Sequence, residues 1–323
     1  MSLRRPGRRP APPPNPARDV DRPPGTPGPA GSDAGLGITI WGARGSIPAS
    51  GPDFVRYGGE TCAVEVRAGA RTLVCDAGSG LVAMGRSLVE RGLSEIDILL
   101  SHLHHDHLMG LPFFAPMHCP NAHVRIHVGG APTDGAARET LAAYFRQPNF
   151  PATLGCFPAS ASVHALPSGG GLDWTAEGGP LVETAALHHP GGATGFRISQ
   201  GSASFAYLTD FEHDGGEGDE AVIRLAHGAD LALLDTTFAP DEYAPCRGWG
   251  HAHWRAAAEL ADTADVRSWG LFHHKHDRTD AELAAMEDEV RARHPCAFAA
   301  RTGQDFELAR TSGTKAAARI SPG

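Results

Sequence analysis

With 323 residues, 41% hydrophobic and 20% charged, the chain suits one large or two small globular domains with a sizeable core. Its net charge of −9 argues against a broad nucleic-acid footprint, and no apolar window approaches the length of a membrane span. The six cysteines (Cys62, Cys75, Cys119, Cys156, Cys246, Cys296) are scattered without a Cys-x-x-Cys, which points to free thiols in a reducing cytoplasm rather than a cysteine zinc knuckle.

Residues 1–35 hold ten prolines and no apolar run, and are read as a disordered Pro/Arg-rich tail. Six arginines against three aspartates give this tail +3 and leave −12 for the rest. Its Arg-Arg pairs are followed by no hydrophobic stretch, which argues against a signal peptide. Gly37–Trp41 reads as the first strand, and a Gly-rich loop leads to two more, Cys62–Arg67 and Arg71–Asp76. Asp76, followed by Ala-Gly-Ser-Gly, either braces a neighbouring metal ligand or caps a turn. A helix over Leu81–Arg91 leads to a buried strand, Ile96–Leu100, which opens directly into Ser101-His102-Leu103-His104-His105-Asp106-His107-Leu108. Five of these eight side chains can bind a metal, and imidazoles with a carboxylate suit zinc, manganese or iron, whereas calcium would want mostly oxygens.

Beyond this motif the sequence predicts a short helix at Gly110–Phe114, a strand at His123–Val128 and a helix at Asp134–Arg146 capped by Thr133 or Asp134. Residues 147–179 look irregular apart from a strand at Ser162–Leu166, and Pro148–Pro158 reads as an active-site lid or wall. Strands follow at Leu181–Leu187, Gly195–Ser199 and Ser204–Leu208; the first ends in His188-His189 and the last in Thr209-Asp210. A helix at Gly218–His227 precedes a strand, Leu231–Leu234, ending in Asp235. Gly250-His251 stands before a helix at His253–Thr263, and a strand at Ser268–Phe272 ends in His273-His274. Thr279-x-x-Glu282 is a capping box opening a helix to Arg293, and a last strand fits Asp305–Leu308. The recurring theme is a strand ending in His or Asp, which is how a sheet gathers ligands from distant positions at one edge.

The motif Ser101-His102-x-His104-x-Asp106-His107, with Gly110-Leu111-Pro112 after it, resembles the metallo-β-lactamase superfamily. More narrowly, several pieces resemble the branch holding ribonuclease Z, phosphoribosyl cyclic phosphodiesterase and cyclic-nucleotide phosphodiesterases. They are Gly42-x-Arg44-Gly45-Ser46-Ile47-Pro48, Tyr57-Gly58-Gly59-x-Thr61, Asp76-x-Gly78-x-Gly80, His189-x5-Gly195-Phe196-Arg197, Leu208-Thr209-Asp210, Gly250-His251 and Leu271-Phe272-His273. The resemblance implies one α/β hydrolase domain over 36–310, a four-layer αβ/βα sandwich of two mixed β-sheets flanked by helices, and leaves 311–323 as a flexible C-terminal tail.

It also implies two divalent metals, zinc in the first place with manganese or iron as alternatives. His102, His104 and His189 would hold one, Asp106, His107 and His273 the other, and Asp210 would bridge them. His188 rivals His189, and His274 and His276 rival His273. His251 matches a proton-donating histidine and Asp235 the acidic residue that orients it. The sequence departs from the family at Ala252-His253, where Ser-Thr is usual, at His274-Lys275-His276, where His-Asp-Pro is usual, and at Glu60 and Cys62.

The expected reaction is hydrolysis of a phosphodiester in a small cyclic nucleotide or cyclic phosphate by a hydroxide between the metals. Asp106 would position that nucleophile, and His251 would protonate the leaving alkoxide. Arg44 either contacts phosphate or makes a structural pairing. Three alternatives stay open: ribonuclease Z-like 3′ cleavage of RNA, hydrolysis of a carboxylic ester, lactone or thioester, and a non-catalytic binding protein. Between Gly130 and His188, Arg138 and Arg146 face Asp134, Glu139, Asp173, Glu177 and Glu183, which argues against a basic arm gripping a large RNA. The expectation is a cytoplasmic protein with a small phosphodiester as partner and no membrane, a homodimer being left open.

Overall fold

Near-continuous apolar burial and short turns set the chain's first sheet. In the computed structural model, which describes residues 35–148, 150–308 and the strand Arg319–Ile320, β1 (Leu36–Gly42) pairs antiparallel with β2 (Ala63–Ala68), and β2 with β3 (Arg71–Cys75). After α1 (Leu81–Glu90) the sheet runs on in parallel through β4 (Glu95–Leu100) and β5 (His123–Gly129) and, past α2 (Asp134–Tyr144), to β6 (Ser160–Leu166). The second sheet starts antiparallel with β7 (Gly171–Asp173), β8 (Leu181–Leu187), β9 (Ala193–Gln200) and β10 (Ala203–Leu208). It turns parallel through β11 (Leu231–Asp235), β12 (Trp269–Phe272) and β13 (Ala297–Ala299), with α3 (Glu217–Ala226), α4 (Trp254–Thr263) and α5 (Asp280–Arg291) as connections. β14 (Gln304–Leu308) returns to the first sheet beside β1, and β15 (Arg319–Ile320) pairs with it.

Three apolar layers hold this together. Ile38, Val64, Leu73, Phe196, Phe205, Phe272 and Phe306 fill the space between the sheets, and each such buried side chain contributes roughly 1.5–3 kcal/mol. On the outer face of the first sheet, α1 buries Leu81, Met84 and Leu88, the spacing of one helix stripe. On the outer face of the second, α3, α4 and α5 bury Val222, Leu225, Trp254, Ala257, Ala261, Met286 and Val290. Helix, sheet, sheet, helix is the four-layer sandwich of two mixed sheets that the resemblance implied.

The helix starts follow local chemistry. Thr133, not Asp134, caps α2 by accepting from the Ala136 amide at 3.2 Å, and Thr279 with Glu282 closes the expected capping box on α5. β7 and β13, three residues each, were not legible as strands; Gly171–Asp173 has no apolar alternation and is set by pairing with β8. The stretch Pro148–Pro158, expected as a lid, turns Phe150, Leu154 and Phe157 onto the apolar layer outside the first sheet. The tails expected at 1–35 and 311–323 lie outside the described residues, apart from Gly35 and β15. Among the described residues, no helix is long and apolar enough to cross a membrane.

This topology decides where chemistry can sit. β3 and β4 are parallel neighbours, β10, β11 and β12 likewise, and β8 shares their direction across the antiparallel β9. The segments carrying Asp76, His102, His189, Asp210, Asp235 and His273 all leave strand ends and converge on one site.

Candidate metal centre

The turn after β4 is short enough to bring four polar side chains to one place. His105–His107 form a single 3-10 turn, buried at Asp106 and His107, and lodged against the loop after β3. That loop contains Gly78 because a Cβ there would stand 2.4 Å from the Asp106 carbonyl oxygen. Several strand ends bend sharply: Asp76, Asp210 and His273 adopt φ of 60°, 58° and 58°, which redirects the chain as each strand finishes.

Two groups of ligand atoms result. In the first, His189 Nε2 lies 3.1 Å from His104 Nδ1, with His102 close by, and Asp210 Oδ1 is 3.8 Å from His102 Nε2 and 3.9 Å from His189 Nε2. In the second, Asp106 Oδ2 is 3.3 Å from His107 Nε2 and 3.2 Å from His273 Nε2. Asp210 faces this group too, with Oδ2 3.2 Å from His107 Nε2 and Oδ1 3.4 Å from His273 Nε2. The structure thus assembles all seven residues named as ligands, with Asp210 between the two groups.

A second ring of contacts fixes the orientation of four of the five imidazoles. Nδ1 of His107 donates to Asp76 Oδ2 at 2.7 Å, that of His102 to Ser101 Oγ at 3.0 Å, that of His189 to the Gly250 carbonyl at 2.8 Å, and that of His273 to Thr237 Oγ1 at 3.0 Å. In each it is Nε2 that is left facing the centre. Asp76 is therefore a brace rather than a simple turn cap: it also accepts from the Ser101 amide, Ser101 Oγ and Tyr207 Oη at 2.7–2.8 Å. The Ser46 amide donates to Asp106 Oδ2 at 2.7 Å. Ser101, Tyr207, Thr237 and the Gly250 carbonyl carry no local sequence signal for this role; only the place of Ser101 directly before the first histidine could have suggested it.

His188 and His274 separate cleanly from the neighbours they rival. His188 is 53% exposed and pairs with Asp214 at 3.2 Å, His105 turns out to Tyr144 Oη at 2.9 Å, and His274 is buried with Nε2 on the Ala300 carbonyl at 2.7 Å. Burial beside Arg44 and Arg278 pushes His274 down to about 3, so it is a neutral packing residue. Arg44 takes the structural role: its side chain is fully buried and donates to the carbonyls of Gly58 (2.9 Å), Arg278 (2.6 Å) and Lys275 (3.3 Å), with Asp280 at 3.9 Å. His251 and Asp235 meet as expected, Nδ1 donating to Oδ2 at 2.8 Å, and the His251 ring stacks on His273 at 4.8 Å. His253, at a position where the resemblance expects Thr, caps α4 by accepting from the Ala256 amide, a role burial favours by keeping its imidazole neutral.

These residues fit two divalent cations on three counts. His102 Nε2 and His107 Nε2 are buried and have no hydrogen-bond partner among the described residues. Burial holds His102, His104 and His189 below the ordinary histidine range, the neutral state a metal ligand needs. Burial also opposes charge on His107 and His273, yet Asp106 and Asp210 raise the first strongly, and Asp210 and Asp106 raise the second to about 9. Buried carboxylates that recruit protons this way mark a place for positive charge.

Comparison with known proteins agrees with this geometry. A family model described as a beta-lactamase superfamily domain matches residues 71–274, more than half of the chain. A curated relative, ribonuclease Z of Gemmatimonas aurantiaca, is 36% identical over 92 residues, which is 28% of this chain and only 29% of that protein's length. Among solved structures, the metallo-beta-lactamase fold protein YhfI from Bacillus subtilis is 19% identical with a TM-score of 0.64, covering 85% of this chain and 99% of its own. A diphosphatase from the PhnP family is 18% identical with a TM-score of 0.60 over the same shares. The two structural likenesses concern the fold.

Proposed function

The chain belongs to the beta-lactamase superfamily, and from that we propose that it is a metal-dependent hydrolase of small phosphodiesters, cyclic nucleotides and cyclic phosphates first among them. His102, His104 and His189 would hold one ion, Asp106, His107 and His273 the second, and Asp210 both; the imidazole-rich set favours zinc, with manganese and iron as alternatives. When bound, such a pair supplies hydroxide near neutral pH and neutralises charge growing on phosphoryl oxygens.

The observation that carries the reading is His251. Asp235 accepts from His251 Nδ1 at 2.8 Å and is itself fixed by the Thr237 amide, Thr237 Oγ1 and the Asp210 amide at 2.9–3.1 Å. The tautomer is thereby set, and Nε2 is free to hold the proton that an alkoxide leaving group needs as its bond to phosphorus breaks. Ser46 fixes the Asp106 carboxylate through its amide, so that Asp106 can orient the attacking oxygen. The acidic balance of residues 130–188 supports a small substrate over a large RNA, and six free cysteines support a reducing, cytoplasmic setting.

A ribonuclease Z-like cut in RNA is the second reading, favoured by the 36% identity over 92 residues. One screen separates the readings: cyclic mononucleotides, cyclic dinucleotides, bis-p-nitrophenyl phosphate, a carboxylic ester and a 3′-extended transfer RNA, with metal content measured on the same sample. Turnover of the ester or the RNA alone would overturn the small-phosphodiester reading.

A further inference from the structure

Beside the metal centre, one carboxylate with no part in the proposed chemistry collects donors from a single loop. Glu212, 7% exposed, accepts from Tyr243 Oη at 2.8 Å, from the Gly248 amide at 2.8 and 2.9 Å, and from the Gly250 amide at 2.9 Å. Its own amide donates to the His188 carbonyl at 2.8 Å. Glu212 thus links three segments that each carry a site residue: the end of β8 with His189, the end of β10 with Asp210, and the loop that reaches His251.

The middle of this clamp is Gly250. Its amide is held by Glu212, and its carbonyl accepts from His189 Nδ1 at 2.8 Å. Gly248 and Gly250 have φ of 83° and 84°, a left-handed conformation that turns both amides onto the one carboxylate. A Cβ on Gly250 would stand 2.3 Å from His189 Nδ1, so the approach of backbone to imidazole requires glycine.

We propose that Glu212 is a positioning residue for His189: by fixing Gly250 it places the proton on Nδ1 and leaves Nε2 aimed at His104 and Asp210. The inference rests on the metal-binding part of the reading above and is independent of the substrate. Glu212→Gln keeps the shape but exchanges the charged acceptor of the Gly248 and Gly250 amides for a neutral amide oxygen. After reconstitution with zinc, competition against a chromophoric chelator should show one of two sites weakened by about 10–100-fold and the other unchanged. Long-range proton–nitrogen spectra should show the His189 Nδ1 proton lost to exchange.

Both sites at wild-type affinity with an unchanged His189 signal would overturn the proposal. So would equal weakening of both sites with the His189 tautomer intact, which assigns Glu212 a role in folding alone. Should Glu212→Gln not fold, Tyr243→Phe removes one of the carboxylate's donors: a few-fold weakening of one site supports the clamp, and no change overturns it. A wild-type protein binding fewer than two ions would instead refute the two-metal reading, while the His189 signal still decides the clamp.

Discussion

Asp76→Asn should weaken the His107 side of the metal centre while leaving the fold intact. The carboxylate is fully buried, with the Ser101 amide on Oδ1 and Ser101 Oγ, His107 Nδ1 and Tyr207 Oη on Oδ2. An asparagine has one acceptor oxygen. Keeping it at the Oδ2 position satisfies three donors but turns the NH2 onto the Ser101 amide. One orphaned buried donor costs about 1–3 kcal/mol. Against a stability of roughly 5–15 kcal/mol the protein should still fold.

His107 also exchanges a carboxylate partner for a neutral amide, and loss of such a support typically weakens metal binding about 10–100-fold, or ~1.4–2.7 kcal/mol. Chelator competition reads this directly. Thermal unfolding with and without added zinc reads it again, because the rise in melting temperature on metal addition should shrink as affinity falls. A variant that holds both ions at wild-type affinity would refute the reasoning and return Asp76 to the role of a turn cap. Asp76→Ala, which orphans all four donors, should not accumulate as a folded protein.

His104→Ala removes the Nδ1 that lies 3.1 Å from His189 Nε2 and should lower metal content and hydrolysis together; full activity in a metal-free preparation would contradict the two-metal reading. His251→Ala should keep both metals and lose about 10²–10⁴-fold in rate on alkyl leaving groups, with a smaller loss on p-nitrophenyl esters; equal losses on both would remove His251 as proton donor. At Asp97 burial would raise the carboxyl, but hydrogen bonds from His127 (3.0 Å) and Arg125 (2.7 and 2.9 Å) bring it down to about 2. That lies below its unfolded value of about 3.9, so the stabilisation is complete above about pH 4 and is lost as pH falls through about 2. Urea unfolding of Asp97→Asn should therefore show a deficit of ~1–2 kcal/mol near pH 6 that narrows toward pH 2, and a deficit independent of pH would count against the assignment.

The features legible in the sequence were those with short-range causes. His102, His104, Asp106 and His107 fall within seven positions of the end of a buried strand, so a strand end and one turn suffice to gather them. The capping box at Thr279 and Glu282, the α1 stripe and the run of strands ending in His or Asp have the same character, because their periods and spacings are local. From these the elements and their order could be read, while the four-layer sandwich itself came from the resemblance to a known family.

Tertiary structure supplied the physical reason for the choices between neighbours that the sequence reading had made. His188 against His189, and His273 against His274, are chemically identical pairs. Which member faces the centre depends on the direction of the chain as the strand ends, as with the left-handed backbone at His273, and on partners such as the Gly250 carbonyl and Thr237 Oγ1, which other loops deliver. Arg44 carried a plausible charge for phosphate until burial and three backbone carbonyls claimed it. Tyr207, Thr237 and Glu212 gave no signal at all. Their roles rest on hydrogen bonds between positions far apart in the chain: that of Tyr207 crosses from one sheet to the other, and those of Thr237 and Glu212 join loops that only the assembled second sheet brings together.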